Sequence, residues 1–568
     1  MRLNILFRKW TLFAAAACAA LLILAPASAS AHAYVVSSQP AANETLDTSP
    51  ATFEIEFNEP IEAGFHKLEV IGPNGSLVND DEAEIDPLKP SRLTVALQPN
   101  LPEGLYTAKW NVVSGDGHAI SGTIPFQIGR GDTNNGLPIH PTTDSGNSFP
   151  GWSLVLVRWL FYGGMAGYLG TVVFHAWLLP RLDNAWPERL KRRSRAVLLA
   201  GLIAASAGIL LSLPQQTAND AGGGWREAFD PELWRQTLVY TTFGEIWKIQ
   251  LLLLGGWLLW TVLLLRTSRI TRPRLLSLAG GLVFGLGLLL SKAFIGHAAT
   301  AELPGLAITM DFLHLAASLI WLGGVGALAF LLPVATLPAA EDKAHPSGTP
   351  QLPLTWRTVR RFSLLAFLMV AILMVSGVYG SLLHVPTLYS FTHTAYGRVL
   401  ILKIALTLIC LLLGAWSFLR GRRAGKPLSA AGVWTEFGTG LVVLVLAAVL
   451  ANLPTASASP GPATLTKQLD DGTTVMIRIA PNALGTNTFQ VSVDGPEGHP
   501  RTDVEQVTLQ LTSKEMDMGT TEIIFPGSSP TEVRELITMG GRWNVHVHIL
   551  TKSLNSYDYD TELSVGTP

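Results

Sequence analysis

The stretch Thr309–Gly324, TMDFLHLAASLIWLGG, decides how this chain is read. Apart from Asp311 and His314 it holds almost only apolar and small residues, and the apolar run extends over 306–333. At about 1.5 Å of rise per residue, a run of that length crosses the ~30 Å hydrocarbon layer of a bilayer. Polar groups are costly at that depth, so Asp311 and His314 stand out as functional candidates. They are three residues apart and share one helix face.

Outward from this span, seven further apolar runs follow the same rule, at 153–179, 195–213, 244–265, 275–295, 360–382, 397–420 and 433–453. Composition agrees: of 568 residues, 48% are hydrophobic and only 14% charged. Arg and Lys gather in RLDNAWPERLKRRSR, RTSRITRPR, RTVRR and RGRRAGK, whereas GHAATAELPG and LHVPTLYSFTHTAY are nearly uncharged and GGGWREAFDPELW is acidic. The positive-inside rule then puts both chain ends outside the cell. A net charge of −2 gives no footing for nucleic acid.

The N-terminus reads as a secretory leader over 1–31. Arg2, Arg8 and Lys9 precede the apolar TLFAAAACAALLILA, and Ala29-Ser30-Ala31 fits the small-x-small cleavage rule. Acylation at Cys18 is the alternative, at the cost of a shortened apolar region. The two cysteines, Cys18 and Cys410, cannot build a disulfide framework or a cysteine metal knuckle. Residues 32–129 show short alternating runs broken by Pro, Gly, Asn and Asp, as a small β-sandwich or barrel would. A polar linker covers 130–150 and a Pro/Ala/Ser linker 454–464; between them lies the membrane region 151–453. Residues 465–568 alternate again and read as a second sandwich. The fold class is therefore multi-domain: an N-terminal β-sandwich, an eight-helix transmembrane core and a C-terminal immunoglobulin-like β-sandwich.

Cleavage after Ala31 makes His32 the first residue. Its α-amine and imidazole can then close one ring on a cation, and nitrogen ligands favour Cu(II). Asp116-Gly117-His118 would supply a carboxylate and a second imidazole. On residue pattern alone, an incidental histidine and a polar turn account for these positions equally well.

The sequence from His32 onward resembles the CopC family of extracytoplasmic copper-binding proteins. SQPA (38–41), FNEPIE (57–62) and SGDGHAISG (114–122) carry the likeness. The resemblance implies a Greek-key sandwich and a Cu(II) site made by His32, Asp116 and His118. No Met lies between residues 32 and 164, so a thioether Cu(I) site is not expected there. His66 reads as a surface residue rather than a ligand.

SKAFIGHAAT, DFLHLAASLIWLGGVGAL, RRFSLLAFLMVAILMVSGVYGS and YGRVLILKIALT resemble the CopD family of copper-resistance membrane proteins, which implies copper uptake. His297 at an outer mouth, with Asp311 and with His314 about 12 Å below the outer end of its span, outlines a path for the metal. The Asp311 carboxylate would fix the His314 tautomer. His175, His384 and His393 read as interfacial or helix-bonding residues. LTSKEMDMG and ITMGGRWNVHVHI resemble the YtkA-like sandwich of fused CopC–CopD chains of the YcnJ type. Met516 and Met518, followed by Met539, His546 and His548, suit Cu(I), although a plain loop pair of methionines fits as well.

The reading is a plasma-membrane copper importer with both β domains outside, no enzyme activity, and copper, the bilayer and an extracytoplasmic copper chaperone as partners. No G-x-x-x-x-G-K-[ST] loop for ATP is present. Sequestration without transport is the first rival. An oxidative copper enzyme, or a redox protein with His297 and His314 as haem ligands, follows behind it.

Overall fold

The structure is a computed structural model that describes residues 35–41, 44–57, 59–114, 119–129, 151–179, 187–221, 226–266, 272–296, 298, 303–336, 354–424, 429–514, 520–527, 531–537 and 540–566. His32, Asp116, His118, His297, Met516, Met518 and Met539 lie outside the described residues.

The first strands are β1 (Val35–Gln39), β2 (Thr45–Leu46), β3 (Thr52–Phe57), β4 (Lys67–Ile71), β5 (Glu84–Ile85), β6 (Arg92–Ala96), β7 (Gly104–Val113) and β8 (Ala119–Ile128). They form two four-stranded sheets, in the orders β1-β3-β6-β5 and β2-β8-β7-β4. Strand period two explains the packing: Phe53, Ile55 and Phe57 point inward from β3, and the polar residues between them do not. Phe53 of one sheet meets Phe126 of the other at 5.4 Å between ring centroids. Each such ring, fully buried, stabilises by about 1.5–3 kcal/mol.

Among the described residues, eight helices of 21 to 33 residues make the core: α1 (Trp152–Val173), α2 (Glu188–Asp220), α4 (Thr242–Arg266), α5 (Arg272–Ala293), α6 (Pro304–Phe330), α7 (Leu354–His384), α9 (Ala395–Ala424) and α10 (Ala430–Leu450). Six of them are long and apolar enough to cross a membrane: α2, α4, α6, α7, α9 and α10. Two short helices, α3 (Pro231–Tyr240) and α8 (Leu388–His393), stand where the sequence suggests only loops. Local capping makes them: Asp230 accepts from the Glu232 N–H ahead of Pro231, and Thr387 with Ser390 forms a capping box. The first predicted span, 153–179, does not run on as one α-helix. It widens into a π-turn over Phe174–Leu178, where His175 sits.

Small residues let the helices meet. A Cβ on Gly170 of α1 would come within 2.2 Å of the Gly323 carbonyl oxygen of α6, so only glycine fits this crossing. Without a hydrophobic driving force between helices in lipid, such close packing is what holds them together.

The last strands are β9 (Ala463–Gln468), β10 (Thr474–Ala480), β11 (Gly485–Asp494), β12 (Val504–Ser513), β13 (Thr520–Pro526), β14 (Thr531–Ile537), β15 (Gly541–Thr551) and β16 (Ser556–Val565). Sheets β14-β11-β10-β9 and β13-β12-β15-β16 share a core that includes Val475, Phe489, Leu509 and Val547.

Candidate metal path

In the first domain the structure describes the frame of the expected site rather than its ligands. Strands β7 and β8 pair down to Val113 opposite Ala119, the end of the hairpin that carries Asp116 and His118 in sequence. Ser114 is fully buried, bridges to Ile61, and donates its hydroxyl to Glu59 Oε1 at 2.6 Å. His66 is tied elsewhere. Its Nδ1 lies 3.1 Å from the Ala63 carbonyl and its Nε2 3.0 Å from the Ala83 carbonyl, so the ring serves as a backbone tie.

Asp311 and His314 both lie on α6, one turn apart. The partner that fixes the imidazole is Ser376 of α7, in place of the expected Asp311. His314 Nδ1 stands 3.0 Å from Ser376 Oγ, whose own hydroxyl donates to the Ile372 carbonyl at 2.7 Å. With its proton so committed, Ser376 Oγ can only accept from His314, which puts the ring proton on Nδ1. Nε2 is left with its lone pair, the state a metal needs. Gly377 lies against the ring: a Cβ there would stand 3.4 Å from His314 Cε1.

Asp311 keeps solvent-accessible surface. Its electrostatic neighbours are Lys403 of α9 and Arg158 of α1, and its charge also reaches Tyr162 and Tyr396. Arg158 donates to the Ala451 carbonyl at 2.7 Å, at the end of α10. Lys292 of α5 has its Nζ 5.9 Å from the Phe161 ring centroid and lies within electrostatic range of Arg158. The sequence reading weighed only histidines and the one aspartate, although Lys292 and Lys403 stood inside the stretches SKAFIGHAAT and YGRVLILKIALT. Their signal was simply charge within an apolar run. Buried Glu436 of α10 was missed as well. Its main-chain carbonyl accepts from Cys410 Sγ at 3.7 Å, and its carboxylate packs against Gly414.

Other histidines among the described residues take structural partners. His175 Nε2 bonds Ser194 Oγ at 2.8 Å, tying the π-turn to α2. His393 stacks on Tyr389 at 4.1 Å, and the His384 ring lies 6.3 Å from that of Tyr396. In the last domain, His546 and His548 of β15 face Asp560 and Asp558 of β16. His546 Nδ1 stands 3.1 Å from Asp560 Oδ1, and His548 Nδ1 2.6 Å from Asp558 Oδ1. Hydrogen bonds from Asn544 and His546 hold the Asp560 carboxyl below the usual carboxylate range. Among the described residues, no three His, Cys, Asp or Glu side chains converge to hold a metal ion.

Comparison with known proteins follows the same division. The CopC domain family matches residues 35–129, the copper resistance protein D-like N-terminal domain 147–307, and copper resistance protein D 356–450. The copper transport protein CutJ of Bacillus subtilis (strain 168) is 36% identical over 546 residues, 94% of this chain and 96% of its own. The chain belongs to this family of CopC–CopD fusions. The inner membrane protein YebZ of Escherichia coli (strain K12) is 25% identical over 53% of this chain and 97% of its own. Among solved structures, CopC from Methylosinus trichosporium OB3b is similar at 29% identity over 17% of this chain and 93% of that chain, with a TM-score of 0.16. As a CopC–CopD fusion with six apolar helices of spanning length, the protein is a multi-pass membrane protein of the copper transport and resistance class.

Proposed function

We propose that the protein captures Cu(II) outside the cell and imports copper across the plasma membrane. Capture belongs to the N-terminal domain, through the α-amine and imidazole of His32 with Asp116 and His118. Passage belongs to the helical core, entering near His297 and proceeding past Asp311 and His314. All eight long helices cross the membrane in this reading. Both β domains lie outside, and the C-terminal one is immunoglobulin-like and receives or delivers copper through Met516 and Met518 or through a chaperone. The observation that carries the reading is the likeness to a copper transport protein over 94% of the chain. The available Nε2 of His314, three residues from the Asp311 carboxylate, supports it chemically.

Cellular copper decides the matter. A strain lacking the protein, grown under copper starvation, should hold less copper than its parent and regain it on complementation. Unchanged copper content would sink the import reading.

One observation favours a second reading. Arg158 and Lys403 lie within electrostatic range of one carboxylate, Asp311, and Lys292 within range of Arg158. Like charges disfavour a bare cation at that depth. Sequestration outside without transport would then follow, and the same experiment would return equal copper contents with lower tolerance to excess copper.

A further inference from the structure

Among the described residues, the Glu62 side chain reaches from the N-terminal sandwich to the helical core. Glu62 follows directly on Ile61, which bridges to Ser114. Its backbone N–H donates to the Val113 carbonyl at 2.8 Å, so it moves with the end of β7. Its carboxylate leaves the domain. Oε1 accepts from the Thr242 N–H at 2.8 Å and from the Thr242 hydroxyl at 2.6 Å. Thr242 opens α4, where the first N–H groups lack helical partners and the helix dipole favours an anion. A carboxylate 180 residues away in sequence thus caps this helix. It also falls within electrostatic range of buried Asp220, the last residue of α2. Two residues on, buried Gly64 sits against α3: a Cβ there would be 3.5 Å from Tyr240 Cβ and 3.6 Å from the Gln236 carbonyl oxygen.

We propose that Glu62 docks the N-terminal sandwich on the helical core at the start of α4, holding the Val113 end of β7 beside the helices. The purpose, short-range transfer of copper from capture site to core, rests on the transport reading above. The docking itself does not, and can be tested without copper.

A Cβ separation of 3.5 Å lies within the range a disulfide needs. In the full chain in membranes, Gly64→Cys with Tyr240→Cys should therefore form an intramolecular disulfide under mild oxidation, mapped by mass spectrometry. Leu77→Cys with Tyr240→Cys is the control. Leu77 is exposed and bridges to Ile71, which pairs with Thr107 near the far end of β7. Adding Glu62→Ala should slow disulfide formation roughly tenfold, the factor that about 1.4 kcal/mol of lost capping contact corresponds to. A yield no higher than the control, or no effect of Glu62→Ala, overturns the docking. Copper uptake before and after reduction tests the purpose. Uptake retained in the locked protein supports transfer from the docked pose, and uptake restored only by reduction overturns it. Absence of uptake in the unsubstituted chain would count against transport while leaving the disulfide result to decide the docking.

Discussion

The two regions that handle the metal in this reading are built on opposite principles. The N-terminal set, His32, Asp116 and His118, draws two of its three residues from one tripeptide and the third from a processed chain end. Its quality depends on covalent events and on a hairpin framed by Glu59 bonded to Ser114 and Trp110 packed on Phe57. The intramembrane set is assembled from four helices. Asp311 and His314 come from α6, Ser376 from α7, Arg158 from α1 and Lys403 from α9. One site is local and chemical, the other tertiary and mechanical, so they should fail under different perturbations.

The sharpest break is at the chain end. One extra residue before His32 in the mature full-length protein should weaken Cu(II) binding by more than about 100-fold, beyond what outer-shell changes cost. Titration against a competing chelator would measure it, and an unchanged affinity would remove the α-amine from the ligand set. The converse break is Gly170→Leu. The added side chain meets the Gly323 carbonyl at the α1–α6 crossing, and the thermal stability of the purified protein should fall by about 3 kcal/mol or more. Cu(II) binding by the N-terminal domain should survive that change.

A finer cut separates ligand from positioner within the core. His314→Ala should abolish copper uptake, while Ser376→Ala should lower it about 10-fold by freeing the tautomer, with Cu(II) capture unaltered in both. Equal uptake in all three proteins would take the path away from α6. The smallest effect lies in the C-terminal sandwich. Asp560 has a carboxyl below its ordinary range when folded, so its contribution to stability is full above about pH 3.9. That contribution is lost as pH falls through the lower folded value. Asp560→Asn should flatten the acid limb of the melting curve against pH and leave the neutral region nearly unchanged.

The legible part of the molecule was whatever repeats along the chain. Alternation in Thr52–Phe57 announces β3, and the apolar run around Thr309–Gly324 announces α6. Helix ends were less legible. The basic stretch from Glu188 extends α2 well ahead of the apolar run at 195, because arginine and lysine form good helix outside the lipid. Helices α3 and α8 were hidden in polar segments whose caps, Asp230 and Thr387, are single residues rather than periodic signals. In the core, Asp311 and His314 were picked out correctly as polar residues on one face. Their partnership was misassigned, since Ser376 is an ordinary residue in an apolar helix and reveals its role only by contact.

By itself, the sequence determined the β–helical–β order and the family, because periodicity and motif spacing are properties of neighbours along the chain. Only the tertiary structure decided which nitrogen of His314 is open, that basic side chains from α1 and α9 gather near Asp311, and that Glu62 reaches the start of α4. Each of these joins residues tens to hundreds of positions apart. A hydrogen bond depends on where two helices or two domains come to rest, and no local pattern encodes that.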